Sequence, residues 1–331
     1  MIDSTARALH DAATDSGFSG VIRVDGPDGC SFARAYGSAD RGRGVPMRVD
    51  HRCWIASVAK GFTALAVGTL VDDGALTLDS RARTFLGDDL PLIDEAVTVG
   101  HLLSHTAGIG DYLDETTGDV ADHVLTRPVH ELDTTEAFVP MLGGRPQVTE
   151  PGSRFAYCNS GFVVLALIAE RVSRVPFHDL VRQRVFAPAG MNASGYPRTD
   201  EVPGDMALGY LGASNDRTNV LHLPVRGSGD GGAASTVADL AAFWSAVFDF
   251  RIVSEETLAA LLEPLHRVDD ERMRYGHGFW RGWESSTVIL EGYDAGVSAR
   301  TWHDPESGLT GTVIANTSEG AWPVLRAIEW S

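Results

Sequence analysis

The sequence predicts a mixed α/β (α+β) protein. Strands from both ends of the chain are expected to form one antiparallel sheet, flanked by helices, with a mostly helical lobe inserted between them. Two observations predict this architecture. Runs with strand composition occur within the first 40 residues and again after residue 270, and helical patterns broken by Gly and Pro fill the middle. One sheet that uses both ends, with a cleft where the two lobes meet, is the simplest assembly.

The first 75 residues supply a helix, a hairpin and a second helix. Residues 3–15 have a helical pattern, and residues 19–25 and 30–36 are predicted strands on either side of the turn G-P-D-G. A second helix is expected from residue 55 to about residue 71, because its apolar residues recur at helical spacing. Ser57 is expected in the first turn of this helix.

Helices dominate the prediction for the middle of the chain, and strands return after it. Helices are expected at residues 98–104, 134–140, 160–173, 177–184 and 236–249. Strands are expected at residues 275–283, 286–291, 297–303 and 309–315, followed by a terminal helix near 321–329. The chain should form one unit, residues 1–331, with an α/β lobe (1–75 and 226–331) and an inserted α lobe (76–225).

The composition favours a globular protein and argues against two kinds of partner. With 44% hydrophobic and 22% charged residues, a chain of 331 residues can bury a large core. The net charge of -18 and the lack of Lys/Arg runs argue against nucleic acid. No stretch approaches 18 consecutive apolar residues, so no membrane span is predicted. The start M-I-D-S-T-A-R-A-L-H-D has no signal-peptide pattern, which predicts a cytoplasmic protein.

Other bulk features are less informative. The three cysteines, Cys30, Cys53 and Cys158, are odd in number and lack metal-site spacing, so reduced thiols with a packing role are expected. No pattern in the sequence indicates the oligomeric state.

Position 60 carries the only lysine of the chain, at the end of the stretch I-A-S-V-A-K. Arginine stays protonated at neutral pH, whereas a desolvated lysine can lose its proton. Residues three apart on a helix share a face, so Ser57 and Lys60 can place a hydroxyl and an amine within hydrogen-bond reach. A neutral amine there can accept the serine proton during nucleophilic attack, and the Ser57 amide favours the negative charge that develops. The alternative is an ordinary solvated pair on a helix.

A second candidate stretch is P-G-S-R-F-A-Y-C-N-S-G-F, which places Tyr157 and Asn159 at the start of a strongly apolar helix. A tyrosine that enters a cleft can relay protons, and Asn159 can donate a hydrogen bond to a substrate carbonyl or to Lys60. The structural alternative is a core aromatic residue followed by an asparagine that caps the helix.

The stretch H-L-L-S-H-T-A-G-I spaces His101 and His105 four residues apart, as in some zinc sites. No glutamate intervenes as in H-E-x-x-H, and no third ligand is evident. Structural histidines are therefore favoured over a metallohydrolase site.

Together these stretches resemble one family, the serine β-lactamase-like hydrolases, which include class C β-lactamases, D-alanyl-D-alanine carboxypeptidases, esterases and D-aminopeptidases. The resemblance spans most of the chain. It lies in I-A-S-V-A-K for the family's S-x-x-K, in Y-C-N for its Y-x-N, and in the phrases H-L-L-S-H-T-A-G-I, E-P-G-S-R-F-A-Y and F-A-P-A-G-M. It implies a β-lactamase/transpeptidase-like fold with Ser57 as acylated nucleophile, Lys60 as its proton partner and Tyr157 as general acid/base. It implies no metal or organic cofactor.

The third motif of the family, K-T-G or H-x-G, is where this chain departs from it. Matching A-G-V-S to the family's P-G-F-S puts Leu290, Glu291 and Gly292 at that place, so the Lys or His is missing. Gly292 still allows close backbone approach, and the Tyr293 amide is expected to join the Ser57 amide as an oxyanion hole. In the family, the missing cation helps to bind the carboxylate of penicillins and D-Ala-D-Ala. Glu291 would repel such a carboxylate if it pointed into the cleft.

The preferred interpretation is a serine hydrolase that acts through an acyl-enzyme on a small ester or amide. β-Lactamase or D-alanyl-D-alanine carboxypeptidase activity is the alternative. A catalytically silent binding protein of the same fold is a further one, because the third motif has eroded, although the intact Ser57, Lys60, Tyr157 and Asn159 argue against it. An α/β-hydrolase is excluded because no G-x-S-x-G nucleophile elbow occurs.

Overall fold

The structure, a computed structural model, describes residues 2–115, 118, 120–201 and 203–328. In chain order the strands are β1 (Gly20–Gly26), β2 (Gly29–Tyr36), β3 (Ser38–Asp40), β4 (Val45–Pro46), β5 (Cys53–Trp54), β6 (Ala234–Ser235), β7 (His266–Val268), β8 (Met273–Tyr275), β9 (Trp280–Gly282), β10 (Val288–Asp294), β11 (Val297–Asp304) and β12 (Leu309–Ala315). Within the described residues, eight of them form one antiparallel sheet in the order β2-β1-β12-β11-β10-β9-β8-β7. The first two strands therefore complete a sheet whose other strands lie near the end of the chain, which confirms the predicted fold class.

Helices pack on both faces of this sheet, and most of them come between β5 and β10 in the chain. They are α1 (Ile2–Asp15), α2 (Ala59–Asp72), α3 (Arg83–Leu86), α4 (Val99–Leu103), α5 (Val139–Leu142), α6 (Asn159–Ser173), α7 (Phe177–Val181), α8 (Ala187–Ala189), α9 (Val237–Phe248), α10 (Glu255–Leu262) and α11 (Ala321–Leu325). The predicted helices at 3–15, 160–173 and 236–249 agree with α1, α6 and α9 to within one residue. The predicted helix at 134–140 begins as a 3-10 turn, Thr135–Phe138, and that at 177–184 continues as a π turn, Arg182–Phe186.

The pairing of β1 with β12 joins the two ends of the chain. Val21 lies opposite Ile314, and both pack into the core on the side of α2 and α9. The next residue, Ile22, belongs to a second core formed with α1 and α11. Because successive side chains of a strand face opposite sides, β1 is buried on both faces.

The prediction of a single strand at residues 275–283 is wrong. The chain instead forms the hairpin of β8 and β9, closed by a hydrogen bond from the Gly276 amide to the Phe279 carbonyl, with Gly278 at a φ of 92° in the turn. The helix α10 and the strand β7 were not predicted, although Ser254 caps α10 in the usual way by accepting a hydrogen bond from the Thr257 amide. The predicted terminal helix ends at Leu325, and residue 329 lies outside the described residues.

Helices α2 and α6 pack against each other inside the molecule. Residues Ala59–Leu70 of α2 and Asn159–Ala169 of α6 are all buried. A helix that is apolar on all sides is held by packing from every direction, so its first turn is a rigid platform. The first turns of both helices meet at the candidate site.

Three further expectations concern membrane spans, the cysteines and the division into lobes. No helix in the described part of the chain is long and apolar enough to cross a bilayer. All three cysteines are free; Cys53 and Cys158 are buried, whereas Cys30 is exposed, so the packing role predicted for Cys30 is wrong. The division into an α/β lobe and an inserted α lobe at residues 76 and 225 stays a prediction.

Candidate active site

Ser57 lies on a 3-10 turn, Ala56–Val58, between β5 and α2, and thus just before the α-helix in which it was expected. A hydrogen bond of 3.1 Å from the Val58 amide to the Ile55 carbonyl closes the turn. Ala56 has a φ of 46°, a left-handed conformation that costs a residue with a β-carbon about 1–3 kcal/mol. Such strain persists only where the surrounding structure imposes it, and here it presents a half-buried Ser57 next to a fully buried helix.

Lys60 reaches Ser57 from the first turn of α2. Its Nζ lies 2.8 Å from Ser57 Oγ, 2.7 Å from Asn159 Oδ1 and 2.7 Å from the Asp230 carbonyl oxygen. An ammonium has three hydrogens, and each has an acceptor here. The side chain is 2% exposed. The expected contact between the hydroxyl and the amine is therefore present, and the amine is fixed by two further bonds.

Burial lowers the pKa of Lys60, because a desolvated ammonium loses its hydration. The carboxylates of Asp230, Glu115, Asp111 and Asp294 oppose this effect by favouring the charged form. The net direction is downward, so the neutral amine is more accessible near neutral pH than in an exposed lysine. A neutral Lys60 can accept a proton from Ser57.

Tyr157 lies on the loop before α6, and its hydroxyl is near enough to Ser57 for the serine to lower the pKa of the phenol. Lys60 Nζ lies 4.8 Å from the centroid of its ring, and the His105 ring lies 4.4 Å from it. Burial, reinforced by the charge of Glu115, raises the pKa of the phenol well above its usual value. Tyr157 is therefore a protonated hydroxyl held next to Ser57.

Asn159 connects Lys60 to a carboxylate. Its Oδ1 accepts the hydrogen bond from Lys60, and its Nδ2 donates to the Leu113 carbonyl at 2.9 Å and to Glu115 Oε1 at 2.8 Å. The expectation that Asn159 donates to Lys60 is wrong, because Lys60 is the donor, whereas a hydrogen bond from Asn159 to a substrate carbonyl stays a prediction. Its side chain does not cap α6 either.

His101 and His105 each serve the backbone rather than a shared metal. His101 Nδ1 accepts a hydrogen bond from the Thr98 amide at the start of α4, and His105 Nδ1 accepts one of 3.1 Å from the Cys158 amide. Burial and the charge of Lys60 hold the pKa of His105 well below its usual value. Among the described residues no group of three or more His, Cys, Asp or Glu side chains could hold a metal ion. This arrangement supports the interpretation of both as structural histidines.

The second half of β10 lies beside Ser57. A β-carbon at Gly292 would collide with the Ile55 carbonyl oxygen and lie 2.9 Å from the Ser57 amide nitrogen, so glycine is required for this approach. The next residue, Tyr293, lines the cavity in front of Ser57. An oxyanion hole formed by the Ser57 and Tyr293 amides stays a prediction.

The two residues before Gly292 do not face this cavity. Leu290 is 2% exposed and packs on Gly61 of α2, where a β-carbon would lie 2.7 Å from Leu290 Cδ2. Glu291 points to the opposite face of the sheet and pairs with Arg300, its cross-strand neighbour on β11. Leu290, which the motif match puts in place of the family's Lys or His, is thus a core side chain, and Glu291 does not enter the cleft.

Residues 111–115, D-Y-L-D-E, also build the site, but they were not singled out in the sequence. Asp111 accepts hydrogen bonds of 2.8 Å from the Asn159 and Ser160 amides, so its carboxylate caps α6 and fixes Asn159. No local pattern identifies this cap, because it lies 48 residues before the helix it serves.

The glycine-rich stretch 227–232, G-S-G-D-G-G, was also missed. It supplies the Asp230 carbonyl to Lys60 and the Gly229 carbonyl to Thr63 at 2.6 Å, and Asp230 Oδ2 accepts a hydrogen bond of 2.5 Å from the Tyr112 hydroxyl. Four glycines in six residues are a signal for close backbone approach, which sequence analysis could have used.

A cavity that opens to solvent lies in front of Ser57. Its apolar lining residues include Trp54, Leu113, Val120, Leu125, Leu223 and Pro224, and its acidic ones are Glu115, Asp230 and Asp294. A hydroxyl next to an amine and a phenol, at the wall of a cavity that opens to solvent, is suited to acyl transfer through a covalent intermediate.

Comparison with known proteins matches this chain to one family. The model of the family described as Beta-lactamase matches residues 5–329. A crystal structure of the penicillin binding protein from Bacillus halodurans superimposes with a TM-score of 0.90 at 36% identity, and covers 96% of this chain and 98% of that one.

Two curated relatives have hydrolase names. Esterase EstB from Burkholderia gladioli is 35% identical over 172 residues, which are 50% of this chain and 43% of the relative. The D-aminopeptidase from Brucella anthropi is 28% identical over 318 residues, which are 92% of this chain and 57% of the relative. The chain spans about half the length of these curated relatives.

Proposed function

Because this chain belongs to the β-lactamase family, whose members are serine hydrolases, we propose that it hydrolyses a small ester or amide through an acyl-enzyme on Ser57. The observation that carries the proposal is the 2.8 Å contact between Ser57 Oγ and the buried amine of Lys60. Lys60 is the proton acceptor for Ser57, and Tyr157 is the second acid/base group.

The first half-reaction forms the acyl-enzyme. Ser57 Oγ bonds to the carbonyl carbon while neutral Lys60 takes its proton, and the Ser57 and Tyr293 amides stabilise the oxyanion. The bond to the leaving group then breaks. The leaving alcohol or amine takes a proton from Tyr157, which regains one from Lys60.

The second half-reaction releases the acid. Water attacks the acyl carbonyl, and its proton passes through Tyr157 to Ser57 Oγ as the ester bond breaks. The high pKa of Tyr157 keeps the phenol protonated between steps, so it acts as a relay rather than as a resting base. Asn159 holds Lys60 in place throughout.

Intact-mass spectrometry after incubation with a fluorophosphonate tests the proposal. One adduct is expected, located by peptide mapping at Ser57, and Ser57→Ala should remove it. Ser153→Ala, which changes an exposed serine, is the matched control and should keep the adduct. Lack of an adduct, or labelling elsewhere, together with no hydrolysis of p-nitrophenyl butyrate, would favour a silent binding protein of the same fold.

A further inference from the structure

The three hydrogen-bond acceptors that surround Lys60 are all uncharged. Its Nζ donates to the Ser57 hydroxyl, to the side-chain oxygen of Asn159 and to the backbone carbonyl of Asp230. An ammonium that pairs directly with a carboxylate is held in its charged form, whereas one with uncharged acceptors loses its proton more easily. Uncharged acceptors therefore suit an amine that has to take a proton from Ser57.

One of these acceptors belongs to a residue that also carries a carboxylate. Asp230 offers its backbone carbonyl to Lys60, while its side chain turns to Tyr112, whose hydroxyl donates to Asp230 Oδ2 at 2.5 Å. All three side chains are buried. A carboxylate and an ammonium attract each other strongly in buried surroundings. The hydrogen bond from Tyr112 therefore bears on whether this carboxylate pairs with Lys60.

Tyr112 is held in place along its whole length. Its amide donates a hydrogen bond of 2.9 Å to Ser160 Oγ, the preceding residue, Asp111, caps α6, and its ring packs edge-on against Phe138. Burial, reinforced by the charge of Asp230, raises the pKa of Tyr112 well above its usual value. The hydroxyl is therefore a fixed and permanent donor.

The backbone at Asp230 has little room to move. A β-carbon on the preceding residue, Gly229, would lie 2.1 Å from the Phe162 carbonyl oxygen, and the Gly229 carbonyl accepts a hydrogen bond from Thr63. The Asp230 carbonyl therefore stays at Lys60 even when the side chain loses its partner. The carboxylate is the part that can turn.

We propose that Tyr112 is a positioning residue: its hydroxyl holds the Asp230 carboxylate away from Lys60, so that the amine keeps uncharged partners and stays able to accept the Ser57 proton. This inference rests on the proposed serine hydrolase function. Without the hydroxyl, the buried carboxylate turns to Lys60, pairs with it and fixes the ammonium form. Tyr112 thus acts on the reaction through Asp230 and Lys60.

Other titratable groups surround this pair. Burial lowers the pKa of Lys60 and raises that of Asp230, and the charge of each opposes the shift of the other. The variants below keep the remaining groups, so a change in the titration of Lys60 is assigned to Tyr112 or Asp230. The remaining groups that face Lys60 or Asp230 are the carboxyls of Asp111, Glu115 and Asp294, the phenols of Tyr157 and Tyr196 and the imidazole of His105.

The single lysine of the chain permits a direct test. Protein made with lysine that carries carbon-13 at Cε gives one lysine signal by NMR, and the change of its shift with pH reports the pKa of Lys60 without any turnover. We expect the midpoint to lie at least about half a pH unit higher in Tyr112→Phe than in the wild type, because a directly paired carboxylate favours the ammonium. An unchanged or lower midpoint overturns the inference.

A second variant tests whether Tyr112 acts through Asp230. Asp230→Asn removes the charge and should lower the midpoint, and Tyr112→Phe added to it should cause no rise. A rise in the double variant, or no fall in Asp230→Asn, overturns the inference, the latter even if Tyr112→Phe does not fold. Tyr210→Phe is the matched control and should leave the midpoint unchanged, since Tyr210 is also buried but its hydroxyl accepts a hydrogen bond from the Arg41 amide instead.

The rate of Ser57 labelling by the fluorophosphonate connects this titration to the reaction. The rate should rise with pH as Lys60 loses its proton. In Tyr112→Phe the rise should move to higher pH by the same amount as the NMR midpoint, with a plateau within about twofold of the wild type. An equal loss of rate at every pH would show a merely structural role for Tyr112 and overturns the inference. Lack of labelling of the wild type at any pH is a different result, because it overturns the proposed function, whereas the NMR titration still decides whether Tyr112 controls Lys60.

Discussion

The two halves of the site differ in how far they keep the family pattern. The helical half consists of Ser57 and Lys60 near the start of α2 and of Tyr157 and Asn159 near the start of α6, which match the family's motifs. Short hydrogen bonds join Lys60 to Ser57 and Asn159, and Tyr157 lies beside them. The strand half, on β10, keeps only Gly292. The proposed acid–base residues and the strand that carries the family's third motif thus lie on different elements, so one set can change while the other stays intact.

The difference has a physical basis. The helical half lies on the buried first turns of α2 and α6, and Lys60 alone makes three hydrogen bonds there. A substitution there therefore disturbs several hydrogen bonds at once. On β10, side chains alternate between the helix-packed face and the opposite face. Leu290 packs against α2, and Glu291 pairs with Arg300 on the opposite face.

The largest effect is expected from Lys60→Arg. The guanidinium stays protonated and cannot accept the Ser57 proton, so we expect fluorophosphonate labelling and ester hydrolysis to fall by about 100- to 10,000-fold. Arg also lacks room where Lys60 makes three short bonds, so the melting temperature should fall moderately. Circular dichroism checks that the variant is folded. Near wild-type hydrolysis by the folded variant would show that Lys60 does not act as the proton acceptor.

Tyr157→Phe should have the next largest effect. It removes only the hydroxyl near Ser57, while the ring can keep its packing on His105. We expect kcat to fall by roughly 100-fold or more with almost no change in melting temperature. Steady-state kinetics and thermal unfolding on the same preparation decide the matter. Full activity would make Tyr157 a scaffold residue.

The sequence predicted the helical half well because its signals are local. Ser57 and Lys60 are three residues apart, and Lys60 is conspicuous because it is the only lysine of the chain. The contact of Lys60 with Asn159 could be offered only as one option among several, since 99 residues separate the two.

The strand half and the cavity were less predictable. Matching the motifs could show that a Lys or His is missing. It could not show which face of β10 carries Glu291, because a shift of one residue moves every side chain to the opposite face of the sheet. The acids of the cavity come from three separate segments, at positions 115, 230 and 294. Nothing in the sequence indicates that these segments meet, so the charge of the cavity emerged only from the structure.

A smaller effect, on the choice of substrate, is expected from the absence of a Lys or His at the third motif on β10. A β-lactam carries a carboxylate, and a charge-assisted hydrogen bond to it is worth roughly 1.5–3 kcal/mol, or about 10- to 150-fold. The described lining of this cavity has three carboxylates and no Lys or Arg. We expect kcat/KM for nitrocefin to be at least about tenfold below that for p-nitrophenyl butyrate. Efficient nitrocefin turnover without ester hydrolysis would mean that another group supplies the cation.

The smallest catalytic effect is expected from Glu291→Gln, which tests whether the two faces of β10 are independent. If Glu291 faced the cleft, removal of its charge would change the rate for charged substrates. It pairs instead with Arg300, and their side chains are 22% and 14% exposed, so the interaction is intermediate between surface and buried pairs. We expect the free energy of unfolding in urea to fall by about 1–3 kcal/mol, while kcat/KM for p-nitrophenyl butyrate and nitrocefin stays within about twofold. Loss of activity at unchanged stability would place the carboxylate in the cleft, and the separation between recognition on one face of β10 and structure on the other would fail.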